Sequence, residues 1–378
     1  MFEVDALSRA RRNPKPMDAL WKDLSELLTA FGEIQDRLDP TLFSQSASRI
    51  EPLAAKLELS RNEAERSTQN APSVDVLLRS ASQALQGAAR FLEAPAGPHG
   101  IMKAFQALRP IHRSEEILYS LAGQFEEVSK FFLPASHREN RELLKRLSQS
   151  PSGDIASLSD ASDCGIIHFN NERGKRGGWS IYVPEYYTKE KRWPLVIALH
   201  GGSGHGADFL WSWLRDARAR GMLLASPTSL DRTWFLHHPG TDVVGLNSML
   251  SQISEKWNVD TKRLLLTGIS DGGTYSMVLS TVRQSPFTHY APVAAAVHAL
   301  LNREGIVEAP VADLKIFQVH GARDWMFPVE KARLAASALK NAGANIVYRE
   351  VEDLSHNYPR DLNAEILDWF TRSGSDLY

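Results

Sequence analysis

Hydrophobic positions change rhythm partway along the chain. Up to about residue 150 they recur every three or four positions, the spacing that puts them on one face of a helix. Met17, Leu20, Leu24, Leu27, Phe31, Ile34 and Leu38 form one such stripe. Val74, Leu77, Ala81, Leu85 and Leu92 form a second, and Ile111, Leu118, Leu121, Phe125, Val128 and Phe132 a third. Pro40, Pro72, Pro95, Pro98 and Pro134 punctuate them. The pattern predicts a helical N-terminal domain over residues 1–150, a bundle of about four to six helices. A Ser-, Asp- and Gly-rich stretch from Ser148 to Ser162 then reads as a linker.

From residue 163 to 378 the pattern alternates. Short apolar runs at Gly165–Phe169, Trp179–Val183, Leu195–His200, Met222–Ser226, Leu264–Gly268, Val293–His298, Leu314–Val319 and Ile346–Val351 predict strands. Amphipathic segments at about Ala207–Arg220, Val243–Trp257, Gly273–Gln284, Val329–Asn341 and Leu362–Arg372 predict helices. Apolar strands alternating with helices imply a mostly parallel sheet covered on both faces. The glycine-rich Asn171–Gly178 connection predicts that the first two strands form an antiparallel pair.

Chemistry concentrates at the strand ends. Gly268-Ile269-Ser270-Asp271-Gly272-Gly273 follows the apolar Leu264–Leu266 run and opens a helical segment. A strand-to-helix turn this tight needs small residues around the serine and lifts its hydroxyl above the sheet, where a helix N-terminus favours developing negative charge. Upstream, the Pro194–Leu199 run ends in His200-Gly201-Gly202-Ser203-Gly204. Glycines there let backbone N–H groups face an acyl oxygen. Gly202 or Ser203, with Asp271, are the candidate oxyanion donors; His200 reads as a structural residue bonding the loop backbone. Downstream, the Leu314–Val319 run leads to Asp324, and His356 lies in a loop before the last helix. The chain order Ser, Asp, His suits a nucleophile, an orienting acid and a base. Asp324, just past a strand end, is preferred as the acid over Asp353 and Asp271.

These motifs, Leu-His-Gly-Gly-Ser-Gly (199–204), Gly-Ile-Ser-Asp-Gly-Gly (268–273), Gln-Val-His-Gly-Ala-Arg-Asp (318–324) and Leu-Ser-His (354–356), resemble those of the α/β-hydrolase superfamily. The likeness is to small carboxylesterases of the phospholipase/carboxylesterase and polyhydroxybutyrate-depolymerase-like kind, over roughly residues 165–378. It implies an α/β-hydrolase fold preceded by an all-α domain, Ser270 as nucleophile, Asp324 as acid, His356 as base, a small carboxylic ester as substrate and no cofactor. Trp234, His205, Trp325 and Met326 are candidate pocket residues. His298 stands at the expected end of the sixth strand, where such esterases more often carry small residues, and is a fifth. Two other readings stand beside the esterase: a prolyl-oligopeptidase-like peptidase, and a binding or scaffold protein with a degenerate hydrolase domain. The helical N-terminal half, in place of a β-propeller, disfavours the peptidase. The intact Ser, Asp, His and glycine set disfavours the scaffold.

Composition narrows the partners. Lys plus Arg number 43 and Asp plus Glu 45 in 378 residues, a net charge of −2. This gives no bulk electrostatic case for nucleic acid. The single cysteine, Cys164, excludes an intrachain disulfide framework. The adjacent His237 and His238 lack a spaced third ligand, and the short Arg9, Arg11, Arg12, Lys15 cluster reads as a solvated face. No run is long and apolar enough for a membrane span, and Met-Phe-Glu-Val-Asp at the start is unlike a signal peptide; both predict a cytoplasmic protein. The N-terminal stripes must be buried somewhere. Access control or assembly, including a homo-oligomer through this domain, is the expected role.

Overall fold

A computed structural model describes residues 16–67, 71–95, 98–148, 164–236, 240–280, 282, 285–297 and 311–372. The chain forms two compact units: residues 1–34 with 40–121, and residues 35–39 with 122–378. The first holds most of α1 (Pro16–Asp36), with α2 (Phe43–Arg66), α3 (Pro72–Leu92) and α4 (Pro98–Tyr119). Its helices bury most of the apolar positions of the stripes they carry, Leu20, Leu24, Leu27 and Phe31 on α1 among them, although Leu92 is exposed. Helices α3 and α4 approach closely through small residues. A Cβ on Gly87 would lie 2.5 Å from the Ile111 side chain, and the buried Ser80 and Ser114 hydroxyls each donate to the other's carbonyl, at 2.9 and 2.8 Å.

Besides residues 35–39, the second unit holds α5 (Glu126–Phe131) and α6 (Arg141–Leu147) and continues into an eight-stranded sheet. Its strands are β1 (Gly165–Phe169), β2 (Trp179–Val183), β3 (Trp193–Leu199), β4 (Leu223–Pro227), β5 (Val259–Ile269), β6 (His289–Val293), β7 (Lys315–Gly321) and β8 (Asn345–Val351). Their order is β1-β2-β4-β3-β5-β6-β7-β8. β2 is antiparallel to β1 and β4, and β3 to β8 run parallel. The helices are α7 (Gly206–Phe209), α8 (Trp211–Arg220), α9 (Asp242–Lys256), α10 (Asp271–Ser280), α11 (Val329–Asn341) and α12 (Asn363–Arg372). The central strands β3 and β4 are buried along their whole length. This is why they read as continuous apolar runs rather than alternating ones.

One strand differs from expectation. The sixth runs from His289 to Val293, not from Val293 to His298. The apolar Val293–Val297 run stands out more in the sequence than a strand holding a histidine and a proline. Pro292 cannot donate to the ladder, and β6 meets β7 at only two register points, Tyr290↔Ile316 and Val293↔Val319. The expected strand end at His298 is thus replaced by Val293, and His298 itself lies outside the described residues. Gln149 to Ser162, in the expected linker, also lie outside them. Among the described residues no helix is long and apolar enough to cross a membrane.

Candidate active site

Because β3, β5, β7 and β8 are parallel, the residues that follow each strand emerge at one edge of the sheet. His200 follows β3, Ser270 follows β5, Asp324 lies three residues beyond β7 and His356 five beyond β8. Ser270 has φ of 54°, a left-handed conformation that is strained for a side chain with a Cβ. The turn has no room for larger neighbours. A Cβ on Gly268 would sit 2.6 Å from the Gly272 backbone, one on Gly272 2.4 Å from the Leu199 carbonyl oxygen, and one on Gly273 2.7 Å from the Gly268 carbonyl oxygen. The atoms nearest a Cβ on Gly272 are all backbone, so Gly272→Ala should cost roughly 1–3 kcal/mol of stability and distort both turns. Urea unfolding tests this, and a wild-type midpoint would refute it.

His356 links the other two groups. Its Nε2 lies 3.0 Å from Ser270 Oγ, and its Nδ1 lies 2.9 and 3.1 Å from the two Asp324 carboxylate oxygens. The carboxylate is itself held: Asp324 Oδ1 accepts the N–H groups of Met326 and Phe327 at 2.9 and 2.7 Å. Burial alone would raise the Asp324 pKa. The hydrogen bond and charge of His356, the Phe327 N–H and the nearby His320 outweigh it, keeping the acid below its ordinary value. With Asp324 accepting, Nδ1 carries the proton and Nε2 is left to accept from the serine hydroxyl. Neither rival carboxylate reaches this histidine's ring. Asp353 pairs with Arg37 at 3.2 Å, and Asp271 Oδ2 accepts the Thr233 hydroxyl at 2.6 Å.

Beside Ser270, the first N–H of α10, that of Asp271, has no acceptor within the helix. On the β3 loop the Ser203 N–H already donates to the Arg232 carbonyl at 2.7 Å. Gly202 is thus the better placed of the two loop candidates. The loop is braced by His200, whose Nδ1 donates to the Gly201 carbonyl at 2.7 Å and whose Nε2 accepts the Ser229 N–H at 3.1 Å.

Trp234 is buried, stacked on Tyr275, and donates Nε1–H to the His200 carbonyl at 2.8 Å, so it supports the loop from the core. His205 caps α7, its Nδ1 accepting the Ala207 N–H. Trp325 and Met326 are 42% and 39% exposed, and the Trp325 ring lies 6.1 Å edge-on to His356. Among the described candidate pocket residues these two are the exposed ones. His237 and His238 lie outside the described residues.

Two supports escaped the sequence reading. Phe327 sets its ring edge-on to His356 at 5.1 Å. Arg176, in the loop after β1, donates to the Gly204, Ser229 and Asp231 carbonyls at 2.7, 3.1 and 2.9 Å, tying the β3 loop to the β4 loop. An arginine in a glycine-rich hairpin loop carries no local signal of that task.

His200 supplies a pH prediction. Burial, with the Arg176 charge adding to it, holds the imidazole down to about 3 against the pull of the Gly201 carbonyl. The unfolded chain takes up that proton near 6.5, so the contribution is complete above that pH and is lost as pH falls toward 3. At pH 5 this one group should remove about 2 kcal/mol of stability. Denaturant midpoints at pH 7.5 and 5 test it, and equal midpoints would count against a buried neutral His200.

The strand order, the serine turn between β5 and α10 and the histidine loop after the last strand define an α/β-hydrolase fold. No protein-family model matches the chain. A bifunctional acetylxylan esterase/xylanase of Neocallimastix patriciarum is 24% identical over 211 residues, 54% of this chain and 30% of that protein. Feruloyl esterase C of Emericella nidulans is 27% identical over 171 residues, 43% of this chain and 61% of that protein. The chain spans less than two thirds of the length of either. Among solved structures, a butyrate-bound esterase of the planctomycete Thermogutta terrifontis has a TM-score of 0.44 and 17% identity, over 56% of this chain and 95% of that one.

Proposed function

We propose that the second unit is a serine carboxylesterase that works through an acyl-enzyme. The observation that carries this is the unbroken hydrogen-bonded run Ser270–His356–Asp324. Ser270 Oγ attacks the ester carbonyl carbon while its proton passes to His356 Nε2. Asp324 accepts the Nδ1–H and stabilises the imidazolium. The Gly202 and Asp271 N–H groups receive the oxyanion, each such donor contributing about 3–4 kcal/mol to the transition state. Collapse expels the alcohol, which leaves with the proton from Nε2, and water repeats the sequence to release the acid.

The likeness to an acetylxylan esterase and to a feruloyl esterase supports acetyl or feruloyl esters as the substrate class. Exposed Trp325 beside His356 offers a flat apolar face for an aromatic acyl group. A panel of aryl acetate, butyrate and octanoate, methyl ferulate, acetylated xylan and a prolyl peptide anilide tests the reading. Turnover of esters with labelling of Ser270 by a fluorophosphonate is expected. Cleavage of the anilide in place of the esters would give the peptidase reading, and no labelling would give the scaffold.

A further inference from the structure

The loop that carries His356 runs from the end of β8 at Val351 to the start of α12 at Asn363. One side of it rests on the Asp324 loop, where the Arg323 N–H donates to the Leu354 carbonyl at 3.0 Å. The other side is held by a segment more than three hundred residues earlier in the chain, Gln35–Asp39, which belongs to the same compact unit. Arg37 forks onto Asp361, Nη1 to Oδ1 at 3.1 Å and Nη2 to Oδ2 at 2.8 Å, and its Nε donates to Asp353 at 3.2 Å. Asp36 Oδ1 accepts both the backbone N–H and the Nε–H of Arg360, at 3.3 and 2.6 Å. Asn357, the residue after His356, donates its side-chain N–H to the Gln35 carbonyl and accepts the Tyr358 N–H at 2.9 Å.

We propose that Gln35, Asp36 and Arg37 are positioning residues for His356, a clamp that fixes the base loop so that Nε2 meets Ser270. Four residues of the loop, Asp353, Asn357, Arg360 and Asp361, flank His356 on both sides in sequence and spend polar groups on these three. The imidazole has only about an ångström of slack between its two partners before one bond is lost. A loop free to relax on its outer side would lose that geometry first. The Arg37 pairs are partly solvent-exposed, Asp353 and Asp361 having 62% and 51% of their side-chain surface open, so their direct contribution to stability is small; the Asp36–Arg360 pair is more enclosed, at 20% and 14%, and breaking it also costs stability. Their effect falls on alignment, where small displacements are costly. The proposal rests on His356 being the base.

The test uses full-length protein. Arg37→Ala, Asp36→Arg and Arg360→Asp are compared with the double variant Asp36→Arg/Arg360→Asp, which restores the pair with its charges reversed. Each single variant is expected to lower kcat about 10-fold with KM near wild type, with little change in Tm for Arg37→Ala and a lower Tm for the two charge reversals. The double should recover most of the loss. Singles within about twofold of wild-type kcat, or a double that recovers Tm but not kcat, would overturn the clamp. The imidazole resonances of His356, assigned with His356→Gln, give a readout independent of turnover. They should shift or broaden in Arg37→Ala, and unchanged resonances would also overturn it. If the wild type hydrolyses no ester and Ser270 takes no label, the functional reading fails, and the resonance comparison still decides whether the clamp exists.

Discussion

Replacing Ser270 by alanine should abolish ester hydrolysis and leave the protein folded. The serine sits at the turn from β5 to α10, its backbone N–H donates to the Val293 carbonyl at 2.9 Å and its own carbonyl accepts the Thr274 N–H at 2.8 Å. All of these are backbone bonds that alanine keeps. What disappears is the hydroxyl 3.0 Å from His356 Nε2. With no nucleophile to form the acyl-enzyme, the remaining donors can only polarise a bound ester. In serine hydrolases this leaves activity lower by about 10⁴–10⁶-fold. The check is a purified Ala variant with wild-type Tm, assayed beside the parent on an aryl acetate. Much retained activity, with contaminating hydrolase excluded, would end the serine mechanism.

Asp324→Asn should be nearly as severe, with kcat lower by about 10⁴-fold, whereas Asp353→Asn should cost far less. The Asp324 carboxylate accepts from three N–H groups at once, those of Met326, Phe327 and His356. An amide can accept at only one of its two ends. If its oxygen serves the two backbone N–H groups, its NH₂ faces His356 Nδ1 and forces the imidazole to carry its proton on Nε2. That nitrogen can then no longer accept from Ser270. Asp353 has no contact with the ring and pairs with Arg37, so its loss removes one leg of a larger cluster. A greater loss of kcat in Asp353→Asn than in Asp324→Asn would reassign the acid.

The two variants also separate what is local in this protein from what is not. Apolar runs bounded by polar turns place seven of the eight strands close to their observed positions; in central strands such as β3 burial on both faces leaves a continuous stretch of Val, Leu and Ile, while the edge strands β1 and β8 are only partly buried. The sixth was displaced because Pro292 and His289 break that pattern while the packing still accepts them; His289 is buried beside Trp369 and Phe370. Gly268, Gly272 and Gly273 are legible as a motif, although most of the crowding that demands glycine comes from elsewhere in the chain, from Leu199 and His200 at the end of β3 and from Val293 and Ala295 at the end of β6.

By itself the sequence determined the helical N-terminal region, the alternating α/β pattern, the tight serine turn and the chain order of Ser270, Asp324 and His356. The first three are written in side chains close together along the chain, and the order of the last is read directly from where its local motifs fall. Only the tertiary structure decided which groups meet. It alone put the Ser203 N–H on the Arg232 carbonyl, closed Trp234 into the core, tied Arg176 across the loop carbonyls and brought Gln35–Arg37 against the loop of His356. Such contacts join positions dozens to hundreds of residues apart. Polar partners of that kind are chosen by where the folded backbone delivers them, and they impose no periodicity on the chain around them.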